Sequence, residues 1–160
     1  MRHLLNKSTL SVLALSLAAG LLLATPAAAQ ENAAERELFA LNLYHEARAE
    51  GHDGMVAVGW VVLNRIDSED FPDSITAVIN QPTARGCQWG WTCDGRSDTP
   101  TEADKWQLAQ EVADLMLGET RPADPTGGAI AFHETFRRTP GWLARNGTRT
   151  VTLGNHISTG

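Results

Sequence analysis

Two carboxylates, a histidine and an arginine fall within one short stretch, Leu41-Asn42-Leu43-Tyr44-His45-Glu46-Ala47-Arg48-Ala49-Glu50-Gly51. Glu46 and Glu50 are four residues apart, so on a helix both project to one side. In water, such a pair repels only weakly. Partly desolvated, one carboxyl instead keeps its proton to higher pH, as a general acid for glycosidic cleavage must. The competing reading is a solvated helix face. A zinc helix is a third, because His45-Glu46 and His52 bring imidazoles and a carboxylate together. That motif requires histidines four apart on one face, whereas position 49 is Ala and His52 lies beyond Gly51. His133 and His156 would have to complete the ligand set, and a structural imidazole is the simpler account of each. Neither a metal nor a cofactor is expected.

The second cluster is Cys87-Gln88-Trp89-Gly90-Trp91-Thr92-Cys93-Asp94-Gly95. Its setting depends on the start of the chain, where Arg2, His3 and Lys7 precede an almost wholly apolar run over 10–23 and the small residues Ala27-Ala28-Ala29. This is the pattern of a secretory signal peptide over 1–29, cleaved after Ala29. The run is short for a membrane span, and no cysteine follows it for lipidation. One domain over 30–160 is expected, exported to the periplasm or the cell wall and monomeric. In an oxidising compartment Cys87 and Cys93 read as a disulfide clamping a short loop, worth roughly 2 kcal/mol by loop closure. Trp89 and Trp91 inside it would offer aromatic faces to pyranose rings, or else fill the core.

Without Arg2 and Lys7, 11 basic and 19 acidic side chains remain, a net charge of −8. Such a surface argues against nucleic acid and against anionic lipid as partners.

The elements that must position these clusters follow from periodicity. Residues 30–34 are polar and fray, and a helix over 35–49 carries Leu38, Leu41 and His45 as its stripe, with Phe39 and Leu43 beside it. Gly51-His52-Asp53-Gly54 breaks it, Asp53 capping a buried helix over 55–66. Asp73 caps a short helix ending near Asn80. Residues 81–100 lack periodicity, and so long an irregular loop in a compact domain is usually functional or disordered; the cysteine pair, its tryptophans and Asp94-Gly95 favour function. Thr99-Pro100-Thr101-Glu102 reads as a capping box with proline at the first helical position. The helix it opens buries Trp106, Ala109, Val112, Ala113 and Met116 and stops at Gly118. Residues 129–133 and 149–153 read as two paired strands, with a basic loop holding Trp142 between them.

Taken together, these stretches resemble the SleB-type cell wall hydrolase family. The likeness rests on the Glu-Ala-Arg-Ala-Glu-Gly block at 46–51, Ala57-Val58 with Leu63-Asn64-Arg65, Cys87-Gln88-Trp89 with Trp91, Cys93-Asp94-Gly95, Asp124-Pro125-Thr126-Gly127-Gly128-Ala129 and Gly154-Asn155-His156. The resemblance implies an α+β, mainly helical, lysozyme-like domain with a small antiparallel sheet and a cleft for a glycan strand. Its catalytic acid corresponds to Glu46. His45, Ala49 and Trp89 stand where the family commonly has other residues, and the aromatic residues usual after the last histidine are missing.

The implied activity is cleavage of peptidoglycan between N-acetylmuramic acid and N-acetylglucosamine by lytic transglycosylation. One acid then suffices, because the C6 hydroxyl of the sugar itself attacks. Glu50, Arg48, Trp89, Trp91, Asp94, His133 and His156 are the expected substrate contacts, with Glu50 or Asp94 as a second carboxylate if one is needed. The alternatives are an N-acetylmuramoyl-L-alanine amidase and a non-catalytic peptidoglycan-binding module.

Overall fold

The structure, a computed structural model, describes residues 26–84, 86–134, 150–153 and 156–159. The expected signal sequence lies outside these residues up to position 25, as does the loop carrying Trp142. Among the described residues no helix is long and apolar enough to cross a membrane.

Three helices build the core: α1 (Pro26–Ala47), α2 (Gly51–Ile66) and α4 (Ala103–Leu117), with the short α3 (Ile75–Ile79) between the last two. The first helix begins well before the frayed segment expected at 30–34, and the expected cleavage point falls inside it. Its Ala- and Glu-rich start has high helix propensity, which the polar composition masks. The buried side of α1 is Phe39, Ala40, Leu43, Tyr44 and Ala47, not the stripe through Leu38, Leu41 and His45. Phe39, Leu43, Met55 and Met116 are fully buried, each contributing about 1.5–3 kcal/mol of transfer free energy. A Cβ on Gly59 would meet Met116 and Phe39 at 3.1–3.3 Å, so α2 passes close to both other helices at that point.

Caps differ from the sequence pattern. Glu50 and not Asp53 stands before α2, and Gly51 at φ 68° makes the sharp turn out of α1. Ser74 replaces Asp73 as the cap of α3, its hydroxyl accepting from the Ala77 N–H at 3.2 Å. Proline 100 lies outside α4, whose entry is held by the Tyr44 hydroxyl. That oxygen accepts from the N–H groups of Thr101 at 3.0 Å and Glu102 at 3.2 Å.

The loop after α3 holds a small ladder, β1 (Pro82–Thr83) against β2 (Gly86–Cys87), and a 3-10 turn over Gly90–Cys93. A three-stranded antiparallel sheet follows: β3 (Ala131–Glu134), β4 (Thr150–Leu153) and β5 (His156–Thr159). Its order is β3-β5-β4, so the two strands expected to pair with each other both pair with the C-terminal one. The alternation of His156-Ile157-Ser158-Thr159 carries this central strand, too short a run to stand out in the sequence.

The sheet entry is pinned to α2. Asp124 accepts from Thr126 N–H at 2.7 Å and Gly128 N–H at 2.7 Å, and Asn64 donates to both Asp124 and the Ala129 carbonyl. Burial pushes the Asp124 carboxyl up, but these hydrogen bonds outweigh it and hold the group below the usual carboxylate range.

Candidate active site

The last turn of α1 ends in a cleft. Two adjoining hollows, each about 340 Å³, share His45, Glu46 and Arg48. One extends toward Trp91, Asp94 and Arg96; the other runs past Glu50 to Glu102 and Lys105. Glu46 thus stands at the joint of an open trough, half-buried. Glu50 is not stacked on it along one helix, because α1 stops at Ala47 and the Glu50 N–H turns back to the Ala47 carbonyl at 3.1 Å. The two carboxylates still line the same hollow.

Behind this wall lies Arg65, 3% exposed. Its Nε donates to the Ile130 carbonyl at 2.7 Å, and its guanidinium lies 5.0 Å from the Trp89 ring centre and 5.1 Å from that of Phe71. With its oxygen turned inward, the Gln88 carboxamide accepts from Nη2 at 3.0 Å and from Nη1 at 3.2 Å. Burial pushes the guanidinium down, to about 10, while attraction to Glu46 acts against that shift. Arg65 therefore stays charged at neutral pH, and its field favours the ionised form of Glu46.

The cysteines are joined as expected, with Cα atoms 6.1 Å apart. The tryptophans they enclose part company. Trp89 is 3% exposed and its indole donates to the Val78 carbonyl at 3.2 Å, so it fills the core and offers no face to a ligand. Of the two readings of Trp89, sugar platform or core filler, its burial supports the second, and its ring packs against Phe132 and the Arg65 guanidinium. Trp91 does line the cleft, its N–H donating to Asn42 Oδ1 at 3.0 Å.

Arg48 pairs with Glu102 at 3.0 Å and lies over the Tyr44 ring. Asp94 lines the same hollow as Glu46, where its carboxylate accepts from the Arg96 N–H at 2.9 Å. His133 lines neither hollow. It sits on β3, both ring nitrogens buried and, among the described residues, without a hydrogen bond. His156 opens β5 opposite Glu134 and Leu153, and its side chain lies outside the described residues. His45 stood in the first cluster but was placed on the buried stripe of α1 and was not expected to touch substrate. Glu102 and Lys105 were not anticipated at the site, and nothing local marks them.

A mainly helical α+β domain with a half-buried glutamate midway along an open trough is an architecture suited to cutting a polymer from within. The chain belongs to the cell wall hydrolase family, whose profile matches residues 49–158. Glu46 precedes the matched segment; Glu50, Arg65 and both cysteines lie inside it. The spore cortex-lytic enzyme of Halalkalibacterium halodurans is 35% identical over 122 residues, 76% of this chain and 33% of that protein. Its counterpart in Oceanobacillus iheyensis is 32% identical over 122 residues, 76% of this chain and 40% of that protein. The chain thus spans well under half the length of these relatives. Among solved structures, the catalytic domain of Bacillus cereus SleB has a TM-score of 0.58 at 26% identity, covering 79% of this chain and 89% of that domain. The catalytic domain of the germination-specific lytic transglycosylase SleB from Bacillus anthracis has a TM-score of 0.59 at 25% identity, with coverage of 79% and 93%. The lysozyme-like class expected from the sequence is the one these domains share with it.

Proposed function

We propose that this chain is an exported lytic transglycosylase that cuts peptidoglycan glycan strands between N-acetylmuramic acid and N-acetylglucosamine, with Glu46 as its general acid and base. The observation that carries this is the position of Glu46, half-buried where the two hollows of the trough meet. Similarity to SleB catalytic domains, one of them a lytic transglycosylase, supports the reaction type.

Glu46 first donates its proton to the glycosidic oxygen as the C1–O bond breaks. The C6 hydroxyl of the same muramic acid then forms a new bond to C1 and returns its proton to Glu46. No water is consumed, and the product is a 1,6-anhydro end. The internal nucleophile is already in place, which supplies what a second carboxylate would otherwise contribute. Trp91, Arg48, Glu50 and Asp94 border the strand's path and are its contacts in this reading. The acidic, exported domain would act at the cell wall.

Replacing Glu46 by Gln keeps shape and hydrogen bonding but supplies no proton. General acid–base help is worth roughly 10²–10⁴ in rate, and with no substitute the Glu46→Gln protein should fail to lower the turbidity of purified walls. Wall binding should persist. Lysis by folded Glu46→Gln at near the parent rate would remove Glu46 from the mechanism.

A further inference from the structure

His45, the residue before Glu46, is held by three different contacts. Its ring stacks on Trp91 with centres 4.8 Å apart and planes 16° from parallel. Tyr44 meets it edge-on at 5.1 Å and 88°. The third contact joins Nε2 to the backbone carbonyl of Asp98 at 3.0 Å. A carbonyl only accepts, so Nε2 carries the hydrogen, and the neutral ring is fixed as the tautomer with a lone pair on Nδ1. No described residue donates to that nitrogen, and it is not sealed away as both nitrogens of His133 are. His45 also borders both hollows of the trough, on either side of the bond that Glu46 would protonate.

An imidazole stacked on one ring and met by another, with its tautomer set by a backbone group, is an oriented acceptor. We propose that His45 is a substrate-binding residue whose Nδ1 accepts a hydrogen bond from an N–H or O–H donor of the sugar lying across Glu46. Its stack on Trp91 joins the wall of one hollow to the joint between them. The saccharide is then gripped at the scissile linkage as well as along the trough. This rests on the proposed glycan-cleaving reading, and deepens it by naming a group that reads the sugar's donors.

The test compares wild type, His45→Phe and His45→Asn on purified glycan strands, with folding checked by thermal unfolding. Phenylalanine keeps the stack and removes both nitrogens; asparagine places an amide oxygen near the Nδ1 position. A neutral hydrogen bond of this kind corresponds to about a 2–10-fold effect. His45→Phe should raise KM by that factor with kcat changed less, and His45→Asn should recover part of the loss. Binding of the β-1,4-linked N-acetylglucosamine tetramer and of the glucose tetramer then separates the donors. Weakening by His45→Phe confined to the former identifies the acetamido N–H, and weakening of both identifies a hydroxyl. A folded His45→Phe protein with wild-type KM and wild-type tetramer affinity overturns the proposal while leaving the glycan-cleaving reading intact. Wild-type protein that neither cleaves strands nor binds either tetramer overturns both.

Discussion

In the proposed reaction Glu46 must be protonated when it meets the leaving oxygen and ionised a step later, and the charge of Arg65 favours the second state. That cation is buried between two aromatic rings and a carbonyl. In that reading the first step depends on the substrate, whose arrival would displace water and raise the cost of a charged carboxylate. A different residue governs stability against acid. Asp124 collects hydrogen bonds from Thr126, Gly128 and Asn64, and its carboxyl titrates below that of the unfolded chain. A depressed folded value means the contribution is complete above the unfolded pKa, about 3.9, and disappears as pH falls through the folded one. Asp114, held down by Arg36 on the surface, titrates in the same direction. Asp124→Asn should cost about 1–3 kcal/mol at neutral pH and flatten, without abolishing, the decline of stability below about pH 4. Urea unfolding at pH 7 and pH 3.5 measures both, and an unchanged pH profile would remove Asp124 from this role.

At the scale of elements, the turn from α1 into α2 fixes the relation of Glu46 to Glu50. A Cβ on Gly54 would fall 2.3 Å from the Glu50 Cβ and 3.6 Å from that of Ala47. Gly54→Ala should therefore displace the start of α2 and cost about 1–3 kcal/mol, read from the denaturation midpoint; unaltered stability would contradict the close packing of this turn. The disulfide loop carries a different lesson. As a peripheral clamp it would affect ligand binding alone when opened, but Trp89 ties it into the core beneath α3. Serine at both Cys87 and Cys93 should consequently lower stability by roughly 2 kcal/mol as well as weaken wall binding through Trp91. Loss of binding at full stability would show the loop to be peripheral after all.

For the whole molecule, α1 and α4 were legible from apolar residues at helical spacing, though α1 buries a different stripe, α2 from an apolar run too long for a strand, and the cysteine pair from its short spacing and the expected export. The Glu46 block could be singled out by its chemistry, and the structure sets it on a cleft. What escaped the sequence was decided by distant contacts. The entry to α4 resembles a capping box, yet Tyr44 supplies the acceptor from 57 and 58 residues away. Trp89 and Trp91 are equivalent in composition, and only the position of Val78 and Asn42 sends one inward and leaves the other on the cleft. Strand order depended on a third short strand whose pattern is no stronger than that of a loop. His45 looked like a misplaced metal ligand until its neighbours in space were known. The two hollows these elements leave meet at Glu46, and the proposed chemistry would be recorded in what is released. Mass analysis of the fragments freed from purified peptidoglycan tests the central claim most directly. Muropeptides ending in anhydromuramic acid, one water lighter than their reducing counterparts, are the predicted product; fragments carrying only reducing ends, or glycan strands left whole with peptides released, would contradict it.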